Sequence, residues 1–352
     1  MTTPADTGHL DGLTVAVTGA TGNVGTALLR QLSRTAVAQV RGLSRRQPPD
    51  VAPYAGVAWS HTDLGTPESA TVLGSFLTGA DAVVNLAWAL QPGREPERLR
   101  QVNVEGTRRV LQAAGAAGVR HVVHVSSLGA YAPGPPHQAV TEDWPTSGVP
   151  SSQYSRDKVA VEQLVREFAA THPDVTVTVV RPTLVLQADA ASEIGRYFLG
   201  PLPLAAARVV PGSIASKLPL PLPGDLHLGL VHADDVADAL SRILDRRAGG
   251  AFNLSADPAM DADAIARALG AVRVPVPAPV LRAGLAAAFA AHLVPTEPGW
   301  LDIALGVPLL DSTRARQVLG WDPQHRGNRM LPEFVAALGR GAGVDGPLLR
   351  PA

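Results

Sequence analysis

The stretch Leu13-Thr14-Val15-Ala16-Val17-Thr18-Gly19-Ala20-Thr21-Gly22-Asn23-Val24-Gly25-Thr26-Ala27-Leu28-Leu29 decides the fold. Residues 13–18 form a short apolar, β-branched run bounded by glycines, the pattern of a buried strand. Residues 23–33 then carry Val24, Ala27, Leu28 and Leu32 at helical spacing. Three glycines lie at the join. A strand that turns through glycines into a helix lets backbone approach a pyrophosphate, and the first helical N–H groups carry partial positive charge. The spacing is G-x-x-G-x-x-G rather than G-x-G-x-x-G, and an ordinary strand-to-helix turn is the plainer alternative. The dinucleotide reading assigns cofactor contacts to Gly19, Thr21, Gly22, Asn23, Val24 and Gly25.

Working outward, strands are expected at 39–43, 57–60, 82–86, 121–126 and 175–181, with helices at 99–117 and 151–170. Such alternation predicts an α/β fold: a doubly wound, Rossmann-like parallel sheet with helices on both faces and ligands at the carboxyl ends of the strands. After Arg181 the texture changes. Residues 187–226 are rich in Pro, Leu and Ala without a clear period. A strand-like segment at 228–231 leads into a helix at 234–246, which an aspartate of His232-Ala233-Asp234-Asp235 would cap. One more strand is expected at 251–254. Residues 11–186, with 227–257 returning, are expected to form the dinucleotide-binding domain. Residues 187–226 and 258–340 are expected to form a smaller, partly helical lobe that holds substrate. The tail after Gly339 reads as loose.

The 352 residues, 46% of them hydrophobic, suffice for a full core. A formal net charge of −1 creates no field for nucleic acid or an anionic membrane. The absence of cysteine excludes disulfides, thiolate catalysis and Cys-based metal sites. Residues 1–10 lack the basic and apolar regions of a secretion signal. Residues 279–295 are too short and too interrupted to span a bilayer. A cytoplasmic enzyme or binding protein, with no nucleic-acid or membrane partner and no metal, is the expectation.

Where the second strand ends, an acidic residue would favour a ribose 2′-hydroxyl. This chain has Ser44-Arg45-Arg46 instead. A guanidinium suits a 2′-phosphate, so NADP(H) is preferred and NAD(H) remains possible. A solvated basic loop is the alternative. Asp63-Leu64, after the third strand, are placed near the adenine, although Asp63 can equally cap its own loop.

Tyr154-Ser155-Arg156-Asp157-Lys158 puts a phenol and an ammonium one helical turn apart on one face. The ammonium is expected to lower the phenol's pKa, so that the pair exchanges a proton with a substrate oxygen. With four tyrosines and two lysines (Lys158 and Lys217), this spacing arises by chance in roughly 2% of such chains. Ser126 and Ser127 end the fifth strand, where a hydroxyl can reach a reacting carbonyl; a polar strand end is the bland alternative.

The chain resembles the extended short-chain dehydrogenase/reductases, the NAD-dependent epimerase/dehydratase family. The matching segments run in order: TGATGNVG from Thr18, NLAW from Asn85, VNVEGT from Val102, HVSSLGAY from His124, YSRDK from Tyr154, RPTLV from Arg181, LVHADDVA from Leu230, FNLS from Phe252 and LGW from Leu319. The resemblance implies that Ser127 is the catalytic serine, Tyr154 the proton donor or acceptor and Lys158 its partner. It implies that Asn103 supports the site by ordering a relay water, and that Arg181-Pro182-Thr183 lie beside the nicotinamide. Leu86, Ala87 and Trp88 would meet the cofactor mostly through backbone.

Departures narrow the choice. Leu228 and Gly229 stand where sugar-nucleotide epimerases usually carry an arginine, Thr183–Gln187 lack their asparagine, and Leu128-Gly129 replace the Asp-Glu pair of sugar dehydratases. The expected lobe is apolar at 201–207, 218–223 and 274–289, which suits a small hydrophobic substrate or is simple packing. The reading is an NADP(H)-dependent reductase of a ketone or aldehyde on a hydrophobic small molecule. A sugar-nucleotide epimerase or dehydratase, and a non-catalytic NADP(H)-binding regulator, are the alternatives. Family members often dimerise through helices flanking the sheet, which leaves a homodimer open. His121 and His124 read as packing residues, as do Trp59, Trp144, Trp300 and Trp321.

Overall fold

The computed structural model describes residues 10–90, 93–135, 137–198 and 219–351. Lys217 and the apolar stretch 201–207, with Leu218, lie outside the described residues.

A seven-stranded, wholly parallel sheet forms the centre. Its strands are β1 (Thr14–Thr18), β2 (Gln39–Ser44), β3 (Ala58–His61), β4 (Ala82–Asn85), β5 (His121–Val125), β7 (Thr176–Pro182) and β11 (Gly250–Leu254), in the order β11-β7-β5-β4-β1-β2-β3. The order reverses between β1 and β4. That is the switch point, where the loops after the two strands diverge and leave a crevice. Two short parallel pairs lie outside this sheet: β6 (Ala139–Val140) with β14 (Leu309–Leu310), and β9 (Pro219–Leu222) with β13 (Val272–Pro275).

Alternation along β1 explains the two layers. Val15 and Val17 face one core, with Leu28 and Leu32 of α1 (Asn23–Leu32) and Val236, Leu240 and Ile243 of the helix Ala233–Arg246. Ala16 faces the other, with Leu73 and Phe76 of α2 (Ser69–Leu77), Val110 of α4 (Gly106–Ala116), and Val161 and Val165 of α5 (Gln153–Thr171). A sheet buried on both faces needs apolar residues at successive positions, as β4 and β5 carry them.

Two expectations are corrected, the cap of the 234–246 helix and the single helix at 99–117. The strand near 228–231, β10 (His227–His232), stands outside the central sheet. It pairs with β8 (Leu184–Leu186) and antiparallel β12 (Ala256–Asp261) in a separate three-stranded sheet. The helix after it is capped by His232, whose Nδ1 accepts from the Asp234 N–H at 3.2 Å; Asp235 instead accepts from the backbone of Gln324 and His325. The expected single helix at 99–117 is α3 (Pro96–Arg100), a π-helical turn (Gln101–Glu105) and α4. Such widened turns recur at functional sites. Asn103 sits in this one.

The small sheet packs Leu230, Ala256 and Met260 against Ile265, Met330 and Phe334 in a third core. The helix Ala278–Ala290 buries none of its side chains. Among the described residues no helix is long and apolar enough to cross a membrane.

Candidate active site

The glycine turn is built by exclusion. Gly19 has φ +65°, a region L side chains avoid, and a Cβ there would lie 2.7 Å from the Ala87 nitrogen. A Cβ at Gly25 would lie 2.4 Å from the Gly19 carbonyl oxygen. The β1 turn, the start of α1 and the loop after β4 can therefore close on one another only with glycine. Helix α1 has no side-chain cap and no acidic residue in its first turn. Its leading N–H groups and dipole are left for an anion, so the residues present fit a pyrophosphate. The Asn23 side chain is engaged elsewhere, donating to the Val185 carbonyl at 3.0 Å and accepting from Gln187 at 2.7 Å. Thr21 is buried in the turn, and Val24 packs on the α1 core.

A buried polar network fixes the crevice wall. Thr18 Oγ1 donates to Asn85 Oδ1 at 2.6 Å and accepts from the Ala87 N–H at 3.3 Å. Asn85 also reaches Thr107 and His124. Burial and the Lys158 charge hold His124 well below the usual histidine pKa. Asn103 pins the same loop from below. Its Oδ1 accepts from the Ala89 N–H at 2.7 Å and its Nδ2 donates to the Ala89 carbonyl at 3.0 Å. Leu86 completes the wall by donating its N–H to the Thr18 carbonyl at 3.2 Å.

The reacting groups come from β5 and α5. Ser152 caps α5 by accepting from the Ser155 N–H. Ser155 Oγ donates to the Gly129 carbonyl at 2.5 Å, docking the helix on the turn that carries Ser127. Tyr154 packs edge-on against Trp88 and tilted on Trp300 at 4.6 Å; a Cβ at Gly129 would lie 2.9 Å from its ring. Ser127 Oγ accepts from the Gly129 N–H at 3.1 Å, which frees its own proton for the phenol side. One turn deeper, Lys158 is buried. Its Nζ donates to the Val125 carbonyl at 3.2 Å and lies 3.5 Å from the Trp88 ring centroid.

The expected lowering of the Tyr154 pKa is not found. Burial pushes the phenol up to about 12, offset only in part by the Ser127 hydrogen bond. Desolvation likewise brings Lys158 down to about 7. The ammonium is 5.7 Å from the Tyr154 ring centroid, and desolvation outweighs attraction at that range.

Several other expected site residues are tied to protein partners. Arg181 is one of them. It makes a bidentate pair with Glu162 at 2.8 and 2.9 Å and donates to the Tyr131 hydroxyl at 2.9 Å. Ser126 Oγ donates to the same Glu162 at 2.6 Å. Thr183 donates to the Leu254 carbonyl through both its N–H and its hydroxyl, and Pro182 stands opposite Leu254 in the β7–β11 register. Asp63 takes its loop-capping role, accepting from the Gly65 N–H at 2.8 Å and pairing with Arg98. Leu64 packs under Gly106 in the core. Ser44 Oγ donates to the Arg46 carbonyl, and Arg46 reaches the Pro347 carbonyl at 2.8 Å. Arg45 is exposed at the end of β2.

Sequence reasoning missed the pieces that complete the site. Trp300 comes from the far end of the chain. Asp157 and Gln153 lie beside Tyr154 on α5, and Glu297 faces them across a cleft. The cleft sets the apolar side chains of Leu90, Leu99, Pro295 and Trp300 beside the polar groups of Asn103, Gln153, Asp157 and Glu297. Asp157 carried a visible signal, being a charged residue in mid-helix. Trp300 and Glu297 carried none, since no local pattern links them to residue 154.

A dinucleotide crevice at the switch point, with serine, tyrosine and lysine gathered beside it, defines a short-chain dehydrogenase/reductase of the extended type. The chain belongs to the NAD dependent epimerase/dehydratase family, whose model matches residues 15–255. It is 37% identical over 177 residues to sterol demethylase protein B of Methylococcus capsulatus, covering 49% of this chain and 52% of that protein. It is 32% identical over 173 residues to 4-hydroxy-2-methyl-3-oxo-4-farnesyl-3,4-dihydroquinoline-1-oxide ketoreductase of Stigmatella aurantiaca, covering 49% and 50%. The chain thus spans about half the length of these curated relatives. UDP-glucose 4-epimerase of Mycolicibacterium smegmatis is 32% identical over 233 residues, covering 63% and 64%. Among solved structures, a short-chain dehydrogenase/reductase superfamily protein from Agrobacterium tumefaciens with bound NAD superposes with a TM-score of 0.66 at 26% identity, covering 92% of this chain and 96% of that one.

Proposed function

We propose that the protein is an NADP(H)-dependent reductase that converts a ketone or aldehyde of a small molecule to an alcohol. The observation that carries this is the gathering of three side chains: the Tyr154 phenol, the Ser127 hydroxyl hydrogen-bonded to it, and Lys158 one turn deeper. A phenol whose pKa stands at about 12 is a proton donor at neutral pH, and reduction of a carbonyl needs a donor. Bound in the crevice, the cofactor supplies hydride to the carbonyl carbon. Tyr154 passes its proton to the carbonyl oxygen. Ser127, whose own acceptor side is held by Gly129, donates a hydrogen bond to the same oxygen as charge develops. The Lys158 charge lowers the cost of that charge. The half-buried indoles of Trp88 and Trp300, packed on the Tyr154 ring, shield the exchange from water.

The choice of NADP(H) rests on Ser44, Arg45 and Arg46 at the end of β2, where no carboxylate is present to hold a ribose hydroxyl. Arg45, exposed there, is the guanidinium offered to a 2′-phosphate.

The test is NADPH oxidation monitored with a panel of ketones, followed by product analysis. Stoichiometric alcohol formation is expected, with NADPH used at lower concentration than NADH. Interconversion of a UDP-sugar without net cofactor consumption would replace this reading with the epimerase one.

A further inference from the structure

Helix α1 begins where a diphosphate must be met, and no side chain of the turn caps that beginning. Its N-cap is Gly22, and the glycines that make room for a ligand also leave the backbone loose. A clamp comes from outside the turn. Gln187 follows β8 in the three-stranded sheet and is 3% exposed. Its Nε2 donates at 2.7 Å to both the backbone carbonyl and Oδ1 of Asn23, the first residue of α1. Asn23 Nδ2 returns a bond to the Val185 carbonyl of β8 at 3.0 Å. Gln187 Oε1 is itself held, accepting from Arg30 at 2.7 Å. Arg30 lies two turns beyond Asn23 on the same face of α1. Its guanidinium is fixed in turn by Asp189 at 2.7 Å and Asp234 at 3.0 Å. Docking of the second lobe on α1 is served by the Arg30–Asp189 pair. Both bonds donated by the buried Gln187 amide go instead to the residue that opens the helix.

We infer that Gln187 is a positioning residue for the dinucleotide: through Asn23 it sets where the leading N–H groups of α1 stand, and so how well they meet the diphosphate. The inference rests on the reading of the glycine turn as the pyrophosphate site. The grip on the diphosphate then depends on a side chain carried by the small sheet. A ligand without a diphosphate is indifferent to it, because the adenosine end is met at the end of β2.

The experiment is calorimetry on the full chain with NADP+ or NAD+, whichever the wild type binds more tightly. The comparison ligand lacks the diphosphate: adenosine 2′-monophosphate for NADP+, adenosine for NAD+. Gln187→Met keeps the reach of the side chain and removes its hydrogen bonds. It is expected to raise the dissociation constant of the dinucleotide about three- to tenfold and to leave that of the comparison ligand within about twofold. Asn23→Ala is expected to show the same split. The double variant Asn23→Ala/Gln187→Met is expected to lose no more than the worse single one, since the two side chains act as a unit. Unchanged dinucleotide affinity in Gln187→Met, an equal loss for both ligands, or losses that multiply in the double variant would each overturn the inference. Where the comparison ligand binds too weakly to measure, the double variant decides alone. Gly25→Ala separates two kinds of failure. If it weakens the dinucleotide while Gln187→Met does not, the turn reading stands and the positioning role falls; if neither does, both fall. Should Gln187→Met not fold, Gln187→Asn, one methylene shorter, is put through the same comparisons.

Discussion

The Lys158 ammonium nitrogen lies 3.5 Å from the centroid of the Trp88 indole ring, inside cation–π range. The same indole packs on Tyr154, and its Nε1 is buried without a hydrogen-bond partner among the described residues. A residue expected to contribute mostly backbone thus covers the lysine with its side chain. If the cofactor seats against Lys158, the environment of Trp88 must change. Titration with NADP+ is expected to alter the intrinsic tryptophan emission, and Trp88→Phe should remove most of that change. An undiminished response in Trp88→Phe would place the cofactor elsewhere.

Lys158 is held at about 7 by desolvation, against 10.5 for an ordinary lysine. Between those values the unfolded chain binds the proton that the folded one has released. Stability therefore rises with pH across this window, and the full penalty applies below about pH 7. Lys158→Met removes the penalty. Calorimetric melting near pH 6 is expected to show the variant more stable by about 1–3 kcal/mol, with the gain shrinking as pH approaches 10. Turnover should be lost. A variant less stable than wild type at pH 6 would mean that the Val125 and Trp88 contacts outweigh desolvation.

The glycine turn is a matter of volume. Because a Cβ at Gly25 would meet the Gly19 oxygen at 2.4 Å, Gly25→Ala must push the start of α1 away from β1. A loss of cofactor affinity of about tenfold or more is expected by calorimetry, while the far-UV dichroism is kept. Unchanged affinity would show that this turn does not hold the pyrophosphate.

Arg181 and Glu162 form a bidentate pair, 6% and 1% exposed, with Ser126 and Tyr131 attached. Removing one partner leaves an uncompensated buried charge. Glu162→Ala is expected to cost about 3–5 kcal/mol in denaturant unfolding, with cofactor affinity altered little at temperatures where the variant is folded. A stable variant that had lost cofactor affinity would return Arg181 to the crevice.

Local patterns carry most of what is legible in the sequence. The β1–glycine–α1 passage and the Tyr154–Lys158 spacing involve residues within one turn or one strand, where chain geometry alone fixes neighbours. Helix α2, with Gly74 and β-branched Thr71 and Val72 in nine residues, has too weak a period to be anticipated. β10 reads as a strand, but nothing within it says which sheet it joins; its pairing with β8 and β12 is a tertiary choice. Arg181 follows a strand that ends at the crevice, yet Glu162, nineteen residues earlier on α5, takes its guanidinium. Trp300 and Glu297 reach Tyr154 only once the second lobe has packed. Asp157 is visible inside the Tyr154–Lys158 spacing, but its burial is a property of the folded cleft.

The central claim is that the Tyr154 phenol gives the proton to the substrate oxygen. Tyr154→Phe removes one hydroxyl and keeps the ring between Trp88 and Trp300. With a ketone that the wild type reduces, kcat is expected to fall by about 10²–10⁴-fold while the NADP+ dissociation constant stays within about twofold. Equal kcat in the two proteins would contradict the account.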